Sequence, residues 1–233
     1  MNEFAKDTDG FFAKHFDRRI SGAVSRQLLK TPITPNQVTI AVTLLGVYGG
    51  WLFSCPGPTP KIFGSLVFLL TSILDGCDGE IARAKKMTSK LGGWLDLWGD
   101  NIVHVAVFYG LSRGLYKDVG HPEYLLLGNA AVFGTLLSAS LASVQTWKNQ
   151  RQKDGESLFT SVVGDAERVS DSPFKKKLVA MSDALARRDF IYGVVLLAFI
   201  GHLEWFLWAL AIGVNIYAIV LIVLSVVTRN DHA

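Results

Sequence analysis

The sequence is poor in cysteine and in charge. Only two cysteines occur among its 233 residues, and Cys55 and Cys77 lie in different contexts. This excludes a disulfide framework and a cysteine-based metal site. Charged residues make up 18% of the chain and hydrophobic residues 50%, a composition too apolar for an ordinary soluble domain. The first ten residues are polar and carry both charges, so we expect no signal peptide. We expect membrane lipids and small molecules as partners, and no nucleic acid.

Long apolar stretches dominate the rest of the sequence. A helix needs roughly 17–25 apolar residues to cross a bilayer, and six stretches reach or approach this length. They predict an all-α integral membrane protein with six transmembrane helices over residues 37–229, a loop at 148–189 and a tail at 230–233. The predicted spans are Gln37–Phe53, Ile62–Ala82, Trp94–Leu115, Tyr124–Trp147, Phe190–Gly201 and Trp205–Val227.

Basic residues are distributed unequally between the two ends of these spans. The segments on one side carry 20 lysines and arginines, whereas the other side carries three, namely Lys61, Arg113 and Lys117. Because basic loops stay in the cytoplasm, we expect both termini to be cytoplasmic in a cell-membrane protein.

Residues 1–36 have a different pattern, which is typical of an amphipathic helix. Apolar residues recur every four positions, and basic residues fill much of the remainder. We expect this helix to lie in the cytoplasmic membrane interface before Thr34-Pro35-Asn36 opens the first span. The alternative is a solvated helix packed on the loop at 148–189. The apolar set is Phe12, Phe16, Ile20, Val24 and Leu28, and the basic set is Lys14, Arg18, Arg19 and Arg26.

Four aspartates occupy the cytoplasmic ends of the second and third spans. Asp75 and Asp78 are three residues apart, and Asp96 and Asp100 are four apart, so each pair shares one helical face. The connector between the two spans is short, which predicts that the helices are antiparallel neighbours and that the four carboxylates converge. Ionisable residues near a membrane indicate a functional site.

Carboxylates that converge in this way favour bound divalent cations. Oxygen ligands select hard ions, so we expect Mg²⁺ or Mn²⁺, with Ca²⁺ possible, and two ions to clamp a pyrophosphate. The absence of histidine and cysteine from the cluster argues against zinc. The alternative is a charged belt in which the aspartates pair with Arg83, Lys85, Lys86 and Lys90.

Eight residues and the gaps between them resemble the signature of the CDP-alcohol phosphotransferase family. In order they are Asp75, Asp78, Gly79, Ala82, Arg83, Gly92, Asp96 and Asp100. The resemblance implies six transmembrane helices behind an interfacial helix, and a homodimer. It also implies transfer of a substituted phosphate group from a CDP-linked donor to an alcohol, with release of CMP.

The resemblance also implies roles for individual residues. Asp100 is implied as the general base, besides completing the metal site. The implied metal ligands are Asp75, Asp78, Asp96 and Asp100. The implied CDP contacts are Asp78, Gly79, Ala82, Arg83 and Gly92.

The sequence leaves two candidate donors. We expect CDP-diacylglycerol and a role in phospholipid biosynthesis. The alternative is a soluble donor such as CDP-inositol, because the N-terminal and core motifs are similar to the di-myo-inositol phosphate phosphate synthase branch of the family. A cation transporter with aspartates that bind the transported ion is the alternative from another class of protein.

Three further residues have two interpretations each. Arg187 and Arg188 precede the fifth span, where they would hold a substrate phosphate or anchor the helix to lipid headgroups. His104 follows Asp100 by one helical turn and would orient that aspartate or belong to a structural polar stripe.

Overall fold

A computed structural model describes residues 16–152, 181 and 190–230. Within these residues the chain is helical and contains no strand, which confirms the all-α prediction for the described part. The principal helices are α1 Arg18–Leu28, α2 Pro35–Ser54, α3 Pro58–Ala84, α4 Lys90–Val119, α5 Glu123–Gln152, α6 Phe190–Ile200 and α7 Leu203–Asn230.

Local sequence signals set the ends of the helices near the aspartates. Thr34 caps α2 through a reciprocal capping box with Gln37, and Pro35 occupies the first turn. The Ser89 hydroxyl accepts a hydrogen bond from the Gly92 backbone and begins α4. Gly120, with φ of 78°, ends α4 in the left-handed conformation that glycine adopts without strain. These caps explain why α4 is longer than the predicted span.

Five of the six predicted spans fall within one of the helices α2 to α7, and the fifth, Phe190–Gly201, ends one residue beyond α6. Four of these helices are long and apolar enough to cross a membrane, namely α2, α3, Glu123–Val144 within α5 and Leu203–Val226 within α7. The 30-residue α4, which carries Asp96 and Asp100, is not among them, and the apolar α6 has only 11 residues.

The first helix packs on α3 through small residues. Ser21, Gly22 and Ser25 are its buried positions, whereas Phe16, which precedes the helix, is 55% exposed. Val24 and Leu28 of the predicted apolar stripe pack against a cluster shared with α2 and α3. Phe12 and Lys14 of the predicted helix lie outside the described residues. The interfacial location of α1 stays a prediction.

The helices α3 and α4 meet through their side chains and not through close backbone contact, because α2 packs extensively against both of them. Small residues allow this: a Cβ atom on Gly110 would overlap the carbonyl oxygen of Gly50, and one on Gly114 would overlap that of Phe53. The facing side chains of α3 and α4 occupy the space between the two backbones.

We expect Gly110→Ala to lower the stability of the protein by about 1–3 kcal/mol, because the added methyl group must displace the backbone of α2. Thermal unfolding in detergent, followed by tryptophan fluorescence, measures the effect. The matched control is Gly213→Ala in α7, where nothing lies within 4 Å of the added Cβ. The control should be as stable as the wild type or more stable, since alanine favours helix. Equal melting temperatures for Gly110→Ala and the wild type would contradict the close contact.

Candidate metal centre

Three of the four aspartates converge where α3 and α4 reach the same end of the molecule. One carboxylate oxygen from each of Asp75, Asp96 and Asp100 lies within 4.8 Å of the other two. Asp96 is exposed, whereas Asp75 and Asp100 are half-buried. The cluster is therefore open to solvent on the Asp96 side and supported by protein on the other.

Asp78 occupies a different environment and is not part of this three-residue cluster. It is 8% exposed, and the Thr39 hydroxyl of α2 donates a hydrogen bond to its Oδ2 atom. Its Oδ1 atom accepts a hydrogen bond from the Gly79 backbone. Its assignment as a metal ligand stays a prediction.

The three converging carboxylates suit a hard divalent cation. Oxygen atoms that bind one Mg²⁺ ion at about 2.1 Å are at most about 4.2 Å apart, so small side-chain rotations would bring this cluster to that geometry. The cluster contains no nitrogen or sulfur ligand. Like charges at this spacing repel each other, and a bound cation would offset the repulsion. The donor set therefore fits Mg²⁺ or Mn²⁺.

The charged-belt alternative requires Lys85 to pair with an aspartate, but the structure gives its ammonium group other partners. The Lys85 ammonium group donates to the carbonyl oxygens of Thr31 and Ile33, at 2.7 and 2.8 Å. It thus fastens the connector between α1 and α2 to the end of α3. Arg83 is exposed, and its guanidinium lies 3.3 Å from the position that a Cβ atom on Gly79 would occupy.

The residues expected to contact CDP lie around this same end. Gly79, Ala82 and Arg83 occupy the last two turns of α3, and Gly92 lies in the first turn of α4. A Cβ atom on Gly92 would lie 3.2 Å from the Asn36 side-chain oxygen, so glycine lets the start of α4 approach the start of α2. The CDP contacts themselves stay predictions.

Aromatic side chains fill the space between α3 and α4 below the aspartates. The His104 ring lies 6.0 Å from the Phe68 ring and 5.4 Å from the Phe108 ring, measured between centroids. His104 lies one helical turn beyond Asp100 and packs against both phenylalanine rings. Both interpretations of His104 remain open.

The sequence interpretation missed the contribution of α2 to the site. Thr39 contacts Asp78, and Thr43 lies against Gly99, the residue before Asp100. A polar stripe of Asn36, Thr39 and Thr43 on an otherwise apolar helix was the available signal. Arg187 and Arg188 lie outside the described residues, as does most of the loop at 148–189, although α5 continues to Gln152.

Comparisons with known proteins point to one family. Residues 32–154 match the family model described as CDP-alcohol phosphatidyltransferase. The chain is 37% identical over 131 residues to a bifunctional IPC transferase and DIPP synthase of Thermococcus kodakarensis, covering 55% of this chain and 28% of that protein. It is 32% identical over 94 residues to an archaetidylinositol phosphate synthase of Pyrococcus horikoshii, covering 39% and 47%. The matches thus span less than half the length of these relatives.

A solved structure has a similar fold over most of the chain. It is the Mycobacterium tuberculosis phosphatidylinositol phosphate synthase with CDP-DAG bound, with a TM-score of 0.52 and 21% sequence identity. The alignment covers 89% of this chain and 90% of that one. A second structure of the same enzyme, in complex with manganese and citrate, gives a TM-score of 0.51 at 20% identity over 88% and 85% of the two chains.

Proposed function

Because this chain belongs to the CDP-alcohol phosphatidyltransferase family, we propose that it transfers a substituted phosphate group from a CDP-linked donor to an alcohol and releases CMP. The observation that carries this proposal is the convergence of Asp75, Asp96 and Asp100 at one end of the helices. The transporter alternative gains no support, because these carboxylates lie near helix ends and the family is one of transferases.

The residues of the site have distinct roles in the proposed reaction. Asp78, Gly79, Ala82, Arg83 and Gly92 hold the CDP moiety, with the two glycines giving the nucleotide access to the backbone. Asp100 accepts the proton of the acceptor hydroxyl. The hydroxyl oxygen forms the new bond to phosphorus, and the bond between that phosphorus and the CMP oxygen breaks. No covalent intermediate with the protein is needed.

The metal centre consists of Asp75, Asp78, Asp96 and Asp100 in this proposal, and it holds two Mg²⁺ or Mn²⁺ ions. Bound cations would neutralise the pyrophosphate charge. The carboxylate oxygens of these aspartates favour hard ions.

A lipid donor, CDP-diacylglycerol, is the first choice. An apolar cavity of about 430 Å³ lies between α1, α2 and α3, and its lining includes Val24, Leu28, Val38 and Leu74. A solved structure of similar fold has CDP-DAG bound, and another relative is named an archaetidylinositol phosphate synthase. We propose a product in phospholipid biosynthesis.

A soluble donor such as CDP-inositol is the second candidate. It is favoured by the 37% identity to the bifunctional IPC transferase and DIPP synthase. In both cases Arg187 and Arg188 would bind the phosphate of a substrate, as the charge-assisted pairing of arginine with phosphate suggests.

The proposed membrane arrangement is supported by the apolar stretches of the sequence and by the uneven distribution of its basic residues. We propose that α2 to α7 cross the cell membrane six times, with both termini and the site in the cytoplasm, α1 in the interface, and two chains forming a homodimer. Exposed aromatic residues near both ends of the helices, typical of membrane interfaces, support a bilayer-spanning arrangement. Tyr48 and Trp51 stack at 5.6 Å near the far end of α2, and Trp98 is exposed near the site.

The test of this function is CMP release by the purified protein in detergent micelles. CDP-diacylglycerol and CDP-inositol are offered separately, each with inositol phosphate and other alcohols as acceptors, in Mg²⁺, Mn²⁺ or excess EDTA. We expect metal-dependent release from CDP-diacylglycerol. Release from CDP-inositol alone would instead select the soluble donor. No release from either donor in any metal would contradict the proposed function.

A further inference from the structure

Asp78 differs from the other three aspartates in how it is held. It is buried, and hydrogen bonds reach both of its carboxylate oxygens, from the Thr39 hydroxyl and from the Gly79 backbone. The Gly79 bond is local, whereas the Thr39 bond comes from another helix and joins residues 39 positions apart. The orientation of Asp78 therefore depends on α2.

Thr39 is in a fixed position. It is 8% exposed, and its hydroxyl also lies 3.2 Å from the Pro35 carbonyl oxygen, one turn earlier in α2. The β-branched side chain has few rotamers in a helix. The capping box of Thr34 and Gln37 fixes the start of α2, and α2 packs closely on α3 and α4. The hydroxyl is thus a rigid hydrogen-bond donor.

Thr39 lies next to both Asp78 and α4, the helix that carries Asp96 and Asp100. A Cβ atom on Gly99 would lie 3.6 Å from the Thr39 methyl group and 2.6 Å from the Thr43 hydroxyl oxygen. Gly99 precedes Asp100, so α2 contacts both of the helices that carry aspartates at this level. A carboxylate has about four lone-pair sites, so the Thr39 bond on Oδ2 does not by itself prevent a cation from binding.

We propose that Thr39 is a positioning residue for the metal centre. Its hydroxyl holds the Asp78 carboxylate in the orientation in which Asp78 binds a divalent cation together with Asp75, Asp96 and Asp100. The proposal rests on the proposed function, because that function includes a centre of four aspartates. Residues that orient metal ligands commonly contribute about 10- to 100-fold to metal affinity.

The experiment measures Mn²⁺ binding to the purified protein in detergent without nucleotide, from the electron paramagnetic resonance signal of unbound Mn²⁺. Thr39→Val preserves the shape of the side chain and removes the donor, and we expect it to weaken Mn²⁺ binding about 10-fold or more. Thr39→Ser keeps a hydroxyl and should bind Mn²⁺ within about threefold of the wild type. If Thr39→Val does not fold, Thr39→Ala removes the donor without adding volume.

Two comparisons distinguish positioning from a general effect on the fold. Thr135→Val is the matched control, because Thr135 is also buried and bonds the carbonyl oxygen one turn earlier, at 2.8 Å. It should leave Mn²⁺ binding unchanged. In an Asp78→Asn background, Thr39→Val should have no further effect on Mn²⁺ binding, since the ligand that it positions is gone.

The outcomes separate the two proposals. Equal or tighter Mn²⁺ binding by Thr39→Val and Thr39→Ala would overturn the role of Thr39, even if the wild type releases CMP. A wild type that neither binds Mn²⁺ nor releases CMP would overturn the proposed function itself. At saturating Mn²⁺, the CMP release rate of Thr39→Val should approach that of the wild type.

Discussion

Asp100→Asn should reduce the rate of CMP release by about 10³-fold at saturating donor and metal. Asparagine has nearly the shape of aspartate but cannot accept the proton of the acceptor hydroxyl, and loss of a general base alone typically costs about 10²- to 10⁴-fold. Asp100 also lies with Asp75 and Asp96 in one cluster. The change therefore removes a proposed cation ligand as well as the proposed base.

Two variants show which part of the loss comes from metal binding. Asp96→Asn removes a proposed ligand without removing the proposed base, so raised Mn²⁺ should recover more of its activity than that of Asp100→Asn. Glu123→Gln is the control, because this exposed carboxylate lies at the start of α5, at the opposite end of the molecule. It should release CMP like the wild type. An Asp100→Asn variant with more than about a tenth of the wild-type rate would exclude Asp100 as the base.

Much of the site could be predicted because helical spacing alone decides which side chains share a face. Asp96 and Asp100, four residues apart in α4, project together, and the short connector returns the chain to the level of Asp75. The family inferred from eight residues is confirmed by the match over residues 32–154. These features depend on short stretches of sequence.

The arrangement of the helices could not be predicted in the same way. A short connector indicates neighbouring helices, but the backbone of α2 approaches α3 and α4 more closely than those two helices approach each other, because its glycines and those of α4 permit a closer contact. The contact between Thr39 and Asp78 results from that packing. Close approach of this kind depends on the absence of side chains on two distant segments, and hydropathy does not register it.

The sequence underestimated the length of the helices where charged residues are buried or paired. The predicted second span begins at Ile62, whereas α3 begins at Pro58 and includes Lys61. Lys61 is 4% exposed, and its ammonium group lies 2.5 Å from the Asp118 carboxylate. A lysine with such a partner can belong to a helix that hydropathy ends sooner.

The contact between α1 and α3 was also missed, and it includes a buried ion pair. The Glu80 side chain is 1% exposed, and its Oε1 atom accepts hydrogen bonds from Ser21, at 3.0 Å, and from Arg18, at 3.5 Å. The Arg18 guanidinium also lies 3.0 Å from the position that a Cβ atom on Gly76 would occupy. Glu80 is two residues from Asp78. The first helix is thus fastened to the part of α3 that carries the site.

We expect Arg18→Met to destabilise the protein by about 3–5 kcal/mol, because it leaves the Glu80 carboxylate buried without its cation. For a chain of this size the melting temperature in detergent should fall by roughly 10 °C. Methionine keeps much of the apolar part of the arginine side chain, so the loss reports mainly the charge. Arg19→Met is the matched control, since Arg19 is the exposed neighbour in the same helix, and its melting temperature should stay near that of the wild type.

The double variant Arg18→Met with Glu80→Gln decides whether the ion pair causes this loss. Removing both charges leaves no uncompensated carboxylate, and replacement of a whole buried pair is often nearly neutral. The double variant should therefore melt higher than Arg18→Met alone, although it contains one more change. If it melts lower, the two side chains stabilise the protein independently, and the ion pair does not hold α1 on α3. If Arg18→Met melts like the wild type, the contact at 3.5 Å contributes little, and α1 is held by Ser21, Gly22 and Ser25 instead.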